Sequence, residues 1–292
     1  MINSPTSSTY SRFFIALLGA FLFFSFVSAT CTSQVSEKTL KQSQLHLELA
    51  QSYMKEGDLV SARREGILSV QKDPTNVEAH YTLSFVFVQL KDWTNAEKYV
   101  RLAIKHSKNY PEAENLLGTI LIQTGDLDEA IEILTEVAED FMYQTPHLAL
   151  GNLGLAYSKK GEHEKALEAL KRAVQLQPLF CLGYYRMGLV YSETERYKDA
   201  LESLQKSIDI EYKFGDCKML QEPYVLMGDI RMKLKTYDAA IESFRKCLEI
   251  NQHNTVGIDC KRKINKCKKL LGEDEEEEEA EIKKEQMDEE NE

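Results

Sequence analysis

The sequence predicts an all-α protein in which six copies of one helical hairpin are followed by a single capping helix. A large apolar residue followed by a small one recurs at intervals of 34, 34, 36, 34 and 40 residues. Such a period indicates an array of stacked repeats. Only six prolines and one tryptophan occur in 292 residues, which disfavours a loop-rich β protein. Twelve residues after each small residue stands an alanine: Ala62, Ala96, Ala130, Ala166, Ala200 and Ala240.

Residues 1–30 are typical of a signal peptide. Residues 13–27 form an apolar run behind Arg12, and no further charge occurs before Glu37. A membrane-spanning helix needs about 20 predominantly apolar residues. The shorter run therefore fits the core of a cleaved export signal better than an uncleaved membrane anchor, which is the alternative.

Two processing sites compete after this run. Val27 and Ala29 have the small side chains that ordinary signal peptidase needs for cleavage after Ala29. Cys31 resembles the lipidated cysteine of bacterial lipoproteins, and we favour lipidation there. Residues 31–42 would then form a linker between the lipid and the first hairpin. Acyl chains hold a protein on a membrane because each buried CH₂ contributes about 0.8 kcal/mol.

Each repeat is expected to fold into two antiparallel helices. The small residue of the first helix and the alanine of the second allow close approach. Gly57, Gly125 and Gly161 fall in the hairpin turns, where a positive φ favours glycine. One hairpin cannot bury both of its faces, so neighbours stack into a superhelix with a concave side. The six units span residues 43–76, 77–110, 111–146, 147–180, 181–220 and 221–254.

This pattern resembles the tetratricopeptide repeat over residues 43–254. The resemblance implies a right-handed superhelix whose concave groove is lined by the first helix of each unit. Apolar and aromatic residues occupy most groove positions, which predicts a site for an amphipathic helix or an extended apolar strand of a partner. The predicted groove residues are Leu47, Met54, Tyr81, Phe85, Val88, Asn115, Ile122, Leu155, Tyr185 and Leu189.

Residues 255–272 are expected to form a basic capping helix, because apolar residues recur there at helical spacing among six lysines and arginines. The acidic tail, residues 273–292, holds thirteen acidic residues and two lysines. It therefore accounts for the whole net charge of −11. Like charges with few apolar residues predict a disordered segment. The balanced remainder excludes a basic nucleic-acid-binding surface.

No cluster of residues predicts catalysis, a metal site or a cofactor. The six histidines do not occur at metal-ligand spacings, and no phosphate-loop, nucleophile-elbow or zinc-helix motif occurs. Cys247, Cys260 and Cys267 are expected to be buried as small hydrophobic residues, and Cys217 to be free to react. The five cysteines after Cys31 are an odd number, which disfavours a disulfide scaffold. We expect a non-enzymatic binding protein without cofactors.

Residues 31–254 also resemble the pilotins of bacterial type IV pilus systems, tetratricopeptide lipoproteins known as PilF, PilW or Tgl. The resemblance rests on the exported six-repeat chain, the lipid cysteine and a third unit that is two residues longer. There Tyr143, Pro146 and Asn152–Leu155 match a Tyr-Pro loop and an Asn-Leu-Gly-Leu helix.

This resemblance implies an outer-membrane lipoprotein on the periplasmic face. Such a protein binds secretin subunits, or another apolar segment of an envelope protein, and promotes secretin localisation and assembly. The alternatives are a generic exported tetratricopeptide adaptor or a co-chaperone, either periplasmic or secreted.

Overall fold

The computed structural model describes residues 36–210 and 219–272, and this part of the chain forms thirteen α-helices and no strand. The all-α class predicted from the repeats is confirmed. The predicted signal peptide with Cys31, the predicted reactive Cys217 and the acidic tail lie outside the described residues.

First and second helices of six hairpins alternate along the chain, and one further helix follows them. Each hairpin turn is short, so the two helices run side by side in opposite directions. The helices are α1 (Glu37–Glu56), α2 (Leu59–Lys72), α3 (Val77–Gln89), α4 (Trp93–His106), α5 (Pro111–Thr124), α6 (Leu127–Glu139), α7 (Pro146–Lys159), α8 (His163–Leu176), α9 (Cys181–Glu193), α10 (Tyr197–Asp209), α11 (Gln221–Lys233), α12 (Tyr237–Ile250) and α13 (Thr255–Leu271).

The first helices form a continuous layer. Each first helix contacts the first helix of the next hairpin, and α11 contacts α13 in the same way. Within the described residues, no two second helices contact each other to a comparable extent. The first helices therefore line the inner side of a curved stack. We call the open side of this inner layer the groove face.

Small residues set the distance between the two helices of a hairpin. A Cβ added at Gly154 in α7 would lie 2.5 Å from Cγ of Leu170 in α8. Gly228 in α11 meets the ring of Phe244 in α12 in the same way. The six alanines that defined the repeat are all fully buried, as the sequence predicted. Close approach of the two helices therefore explains why the pattern has a small residue in the first helix and an alanine in the second.

The turn of each hairpin contains one residue with a positive φ. Glycine takes this position in three hairpins, with φ of 81°, 97° and 82° at Gly57, Gly125 and Gly161. Lys91, Glu195 and Lys235 take it in the other three, with φ of 59°, 58° and 60°. The left-handed conformation costs an L-residue about 1–2 kcal/mol. The tertiary contacts of these hairpins therefore override a local preference.

The first helix begins earlier than the sequence indicated. Residues 37–42 were predicted to belong to the linker, but they form the beginning of α1. The side chain of Ser36 accepts a hydrogen bond from the backbone N–H of Thr39 at 3.2 Å, which caps the helix. The repeat pattern starts inside this helix, so periodicity alone did not locate its beginning.

A disulfide bond connects the last hairpin to the capping helix. Cys247 in α12 is bonded to Cys260 in α13, with 6.6 Å between their Cα atoms. All three cysteines expected to be buried are buried. The odd number of cysteines disfavoured disulfides, and this was wrong for Cys247 and Cys260 and for Cys181, which is also disulfide-bonded. Cys267 is a buried free cysteine. Spacing along one helix could not reveal a bond between two helices.

We predict that Cys260→Ser lowers the free energy of unfolding by about 2–4 kcal/mol, because the crosslink no longer constrains the unfolded chain. Urea unfolding followed by circular dichroism measures the loss. Cys267→Ser is the matched control, since it alters a buried cysteine that forms no disulfide; we expect a smaller loss of about 1 kcal/mol. Alkylation of both Cys247 and Cys260 in the denatured but unreduced protein would contradict the prediction.

Candidate functional site

The ten predicted groove residues lie on α1, α3, α5, α7 and α9, all of them first helices. Two of them are not part of an open surface. Leu47 is 1% exposed and Ile122 is 2% exposed, so both belong to the hydrophobic interior. Their assignment to the groove is corrected for this reason: neighbouring first helices approach closely enough to cover side chains between them.

The N-terminal half of the groove face is apolar and partly open. Phe85 in α3 is 38% exposed, although it is a large hydrophobic side chain. Tyr81 and Val88 lie on the same helix, are partly buried and pack against the main hydrophobic core. Met54 in α1 is also partly buried. Phe85 therefore projects from a supported apolar surface that solvent still reaches.

Two tyrosines strengthen this surface. The rings of Tyr81 and Tyr110 lie with their centroids 5.1 Å apart. Burial raises the pKa of Tyr81 and of Tyr110 above the ordinary value of tyrosine, because it disfavours the phenolate. Both hydroxyls therefore stay neutral, and the apolar half of the groove face carries no charge from them at neutral pH.

Polar side chains connect three successive first helices in the middle of the groove face. Nδ2 of Asn152 in α7 donates to Oδ1 of Asn115 in α5 at 3.0 Å and lies 3.1 Å from Oγ1 of Thr119. Oδ1 of Asn152 accepts from Nη1 of Arg186 in α9 at 3.1 Å. Asn115, predicted as a groove residue, is thus one end of a hydrogen-bonded network.

Arg186 is the residue of this network that sequence reasoning missed. Burial lowers the pKa of its guanidinium to about 10, so the group remains cationic at neutral pH. Arg186 and Asn152 are one repeat period apart, which is the sequence signal that relates them. The repeat period does not show whether a carboxylate lies beside Arg186 and compensates its charge. Only the structure shows this.

Leu155, Tyr185 and Leu189 continue the groove face along α7 and α9 as partly buried side chains. Tyr185 packs against a hydrophobic cluster formed by buried residues of α8 to α11, including Leu170 and Leu204. Burial raises the pKa of Tyr185. These three predicted residues lie on the same layer as the polar network, so apolar contacts are available on either side of Arg186.

The C-terminal end of the groove face contains a pocket of ≈ 690 Å³ between α11 and α13. Nζ of Lys263 lies 2.7 Å from Oδ1 of Asp229 and 3.2 Å from Oδ2 of Asp259, so its charge is compensated. Basic side chains therefore border a pocket whose surface is mostly apolar, whereas the surface around Phe85 has no such basic cluster. The lining residues are Ser192, Leu226, Asp229, Ile230, Met232, Lys233, Arg262, Lys263 and Lys266.

The buried histidine has a packing role. His80 is 4% exposed, its Nε2 lies 2.8 Å from the carbonyl oxygen of Pro74, and its ring stacks with Tyr99 and His106. No group of three or more His, Cys, Asp or Glu residues in 36–210 and 219–272 is placed to hold a metal ion. None of the helices described is both long enough and apolar enough to cross a membrane.

Comparison with protein families assigns the repeats. Residues 109–178, 183–214 and 221–254 match the tetratricopeptide repeat. The crystal structure of PilW, a type IV pilus biogenesis factor, has the same fold with a TM-score of 0.64 and 21% identity, over 74% of this chain and 97% of PilW. The structure of Pseudomonas aeruginosa PilF gives a TM-score of 0.60 and 16% identity, over 77% of this chain and 99% of PilF. The expected tetratricopeptide fold is confirmed.

Two curated relatives match shorter stretches. The type IV pilus assembly protein PilF of Pseudomonas aeruginosa is 24% identical over 131 residues, which is 45% of this chain and 52% of PilF. The CTR9 homolog of Arabidopsis thaliana is 29% identical over 109 residues, which is 36% of this chain and 10% of that protein. The chain therefore spans about half the length of one relative and a tenth of the other. Proteins of this fold are typically scaffolds that bind other proteins.

Proposed function

We propose that this chain, which is a tetratricopeptide-repeat protein, acts as a pilotin that holds an apolar segment of a secretin subunit on its groove face. The observation that carries the proposal is the exposed Phe85 above the partly buried Tyr81 and Val88. Large apolar side chains held on a rigid helix layer are common anchor points for a partner.

Hydrophobic burial supplies the driving force for such binding. Covering apolar surface contributes about 25 cal/mol per Å², and aromatic side chains dominate the energy of many interfaces. The helix layer under Phe85 is held by the hydrophobic core, so little ordering is required on binding. An amphipathic helix or an extended apolar strand of a secretin subunit fits this surface chemically.

Export to the periplasm is the second part of the proposal. The Cys247–Cys260 disulfide supports it, because disulfides persist in oxidising compartments and are rare in the cytosol. The apolar segment at residues 13–27 followed by Cys31 supports secretion with lipid attachment. In this account the lipid holds the protein on the periplasmic face of the outer membrane, where secretin subunits assemble. The similarity to PilF and PilW supports a role in type IV pilus biogenesis.

Phe85→Asp is predicted to reduce the amount of secretin recovered with the protein at least about 30-fold, since a carboxylate replaces an apolar anchor and must lose its water. The measurement is co-purification of the secretin of the same organism with the full-length chain from detergent-solubilised membranes. Circular dichroism should show an unchanged helical spectrum, because Phe85 is partly exposed.

Val60→Asp is the matched control. Val60 is an apolar side chain of α2 that is 64% exposed, and it lies on a second helix away from the groove face. We expect this variant to recover as much secretin as the unaltered protein. Undiminished recovery with Phe85→Asp would refute the groove proposal. Recovery of a different envelope protein, with no secretin, would instead identify the chain as a general exported adaptor.

Cys31 is predicted to be the first residue of the mature protein and to carry a thioether-linked diacylglycerol. Mass spectrometry of the N-terminal peptide from membrane-extracted protein measures this directly. Cys31→Ser should release the protein from the membrane fraction, because the acyl chains provide the anchor. A mature chain that starts at Thr30 with an unmodified Cys31 would show cleavage after Ala29 and contradict the lipid anchor.

A further inference from the structure

Arg186 carries a charge that an apolar groove leaves unexplained. Burial lowers the pKa of its guanidinium, yet no carboxylate among the described residues forms an ion pair with it. Its hydrogen-bond partner is the neutral Oδ1 of Asn152 at 3.1 Å. Arg186 is partly buried, so its guanidinium has lost part of its hydration without gaining a counter-charge, and a bound anion beside it would compensate this loss.

Solvent still reaches the donors of Arg186 that Asn152 does not engage. In residues 36–210 and 219–272, the buried side-chain nitrogen or oxygen atoms that lack a hydrogen-bond partner belong to His80, His163 and Ser207. The other guanidinium nitrogens of Arg186 have no hydrogen-bond partner within this part of the chain and are not among these buried atoms, so solvent reaches them. Arginine presents five N–H donors in a planar fork that matches a carboxylate.

A glycine makes the space in which the guanidinium lies. A Cβ at Gly151 in α7 would lie 3.0 Å from Nη1 of Arg186 and 2.8 Å from Cε1 of Phe180. The equivalent positions of the neighbouring units hold Asn115 and Tyr185, which have full side chains. Gly151 lies inside a helix, where glycine is unfavourable. The missing side chain leaves room for both the Phe180 ring and the Arg186 guanidinium.

The hydrogen bond from Arg186 to Asn152 orients the guanidinium, and Asn152 is itself held by two further contacts. Asn115 and Thr119 both contact Nδ2 of Asn152, which directs Oδ1 of Asn152 towards Arg186. Three successive first helices thus hold one cation in a defined place. Binding an anion there would require little rearrangement of the chain.

We infer that Arg186 binds a carboxylate of the partner segment that lies along the groove face, with Asn152 holding the guanidinium in position. The carboxylate belongs to an Asp or Glu side chain of that segment or to its C-terminus. Apolar residues of the same segment contact the surface around Phe85, Leu155 and Leu189. The inference rests on the proposed role of the groove face in holding a partner segment, but not on that partner being a secretin.

Peptide selection followed by titration tests this inference. Random dodecapeptides with free C-termini are selected on the full chain, and the tightest binder is synthesised in three forms: unchanged, with each acidic side chain replaced by its amide, and with an amidated C-terminus. Neutralising the bound carboxylate should weaken binding to the unaltered protein by about tenfold to a hundredfold in fluorescence anisotropy. The form that loses affinity shows whether a side chain or the terminus is bound.

The same titrations with the variant Arg186→Gln complete a double-mutant cycle between the protein and the peptide. The charged and neutralised peptides should bind this variant equally, because the interaction energy between guanidinium and carboxylate is gone. Arg172→Gln is the matched control, since Arg172 is an exposed arginine on the second helix α8, and it should retain the full difference.

Two results would overturn the inference. If the selected peptides contain no required carboxylate, or if neutralisation weakens binding to the unaltered protein and to Arg186→Gln by the same factor, Arg186 is not the anion site. Apolar peptides that bind without a carboxylate and depend on Phe85 would leave the groove function intact. A selection that yields no peptide dependent on the groove face would reject both proposals.

Discussion

The structure depends on one close contact that recurs in five of the six hairpins, between a small residue of the first helix and the second helix beneath it. At Gly118, Gly154, Gly188 and Gly228 a Cβ would meet the side chain of the second helix closer than atoms normally approach. Ser84 takes the same place in the second unit and donates a hydrogen bond to the carbonyl oxygen of Ala96 at 2.8 Å. Because these hairpins share this contact, their first helices align into one layer, and the groove face exists only as a consequence.

The same layer explains why the groove face is not chemically uniform. Packing inside a hairpin fixes the small positions and the alanines, but it leaves the outward positions of the first helices free to vary. Phe85 makes one part apolar, Arg186 places a cation at the centre, and Lys266 contributes charge near the C-terminal pocket. A partner segment that fits the whole groove face carries apolar residues together with a carboxylate. Such a combination gives selectivity, since an apolar segment alone would leave Arg186 uncompensated.

The sequence predicted those features that repeat and missed those that depend on contacts between neighbouring units. Six alanines at one position and glycines in the turns predicted the hairpins, because packing within one unit imposes the same residues each time. Leu47 and Ile122 were assigned to the groove wrongly, since their burial depends on how closely the adjacent first helix approaches. The Cys247–Cys260 bond joins two helices whose relative placement no spacing reveals. Arg186 was missed because the absence of a carboxylate beside it is a property of the folded chain.

Photo-crosslinking in cells of the source organism tests most sharply whether the groove face holds a secretin segment, as proposed. A benzophenone analogue of phenylalanine in place of Phe85 is close in shape to the native side chain and reacts with whatever covers it. The same analogue in place of Leu176, an exposed side chain on a second helix, is the reference. We predict a crosslink from position 85 to a secretin peptide that carries apolar residues near a carboxylate, and none from position 176. Secretin crosslinks from position 176 alone, or none from position 85, would contradict it.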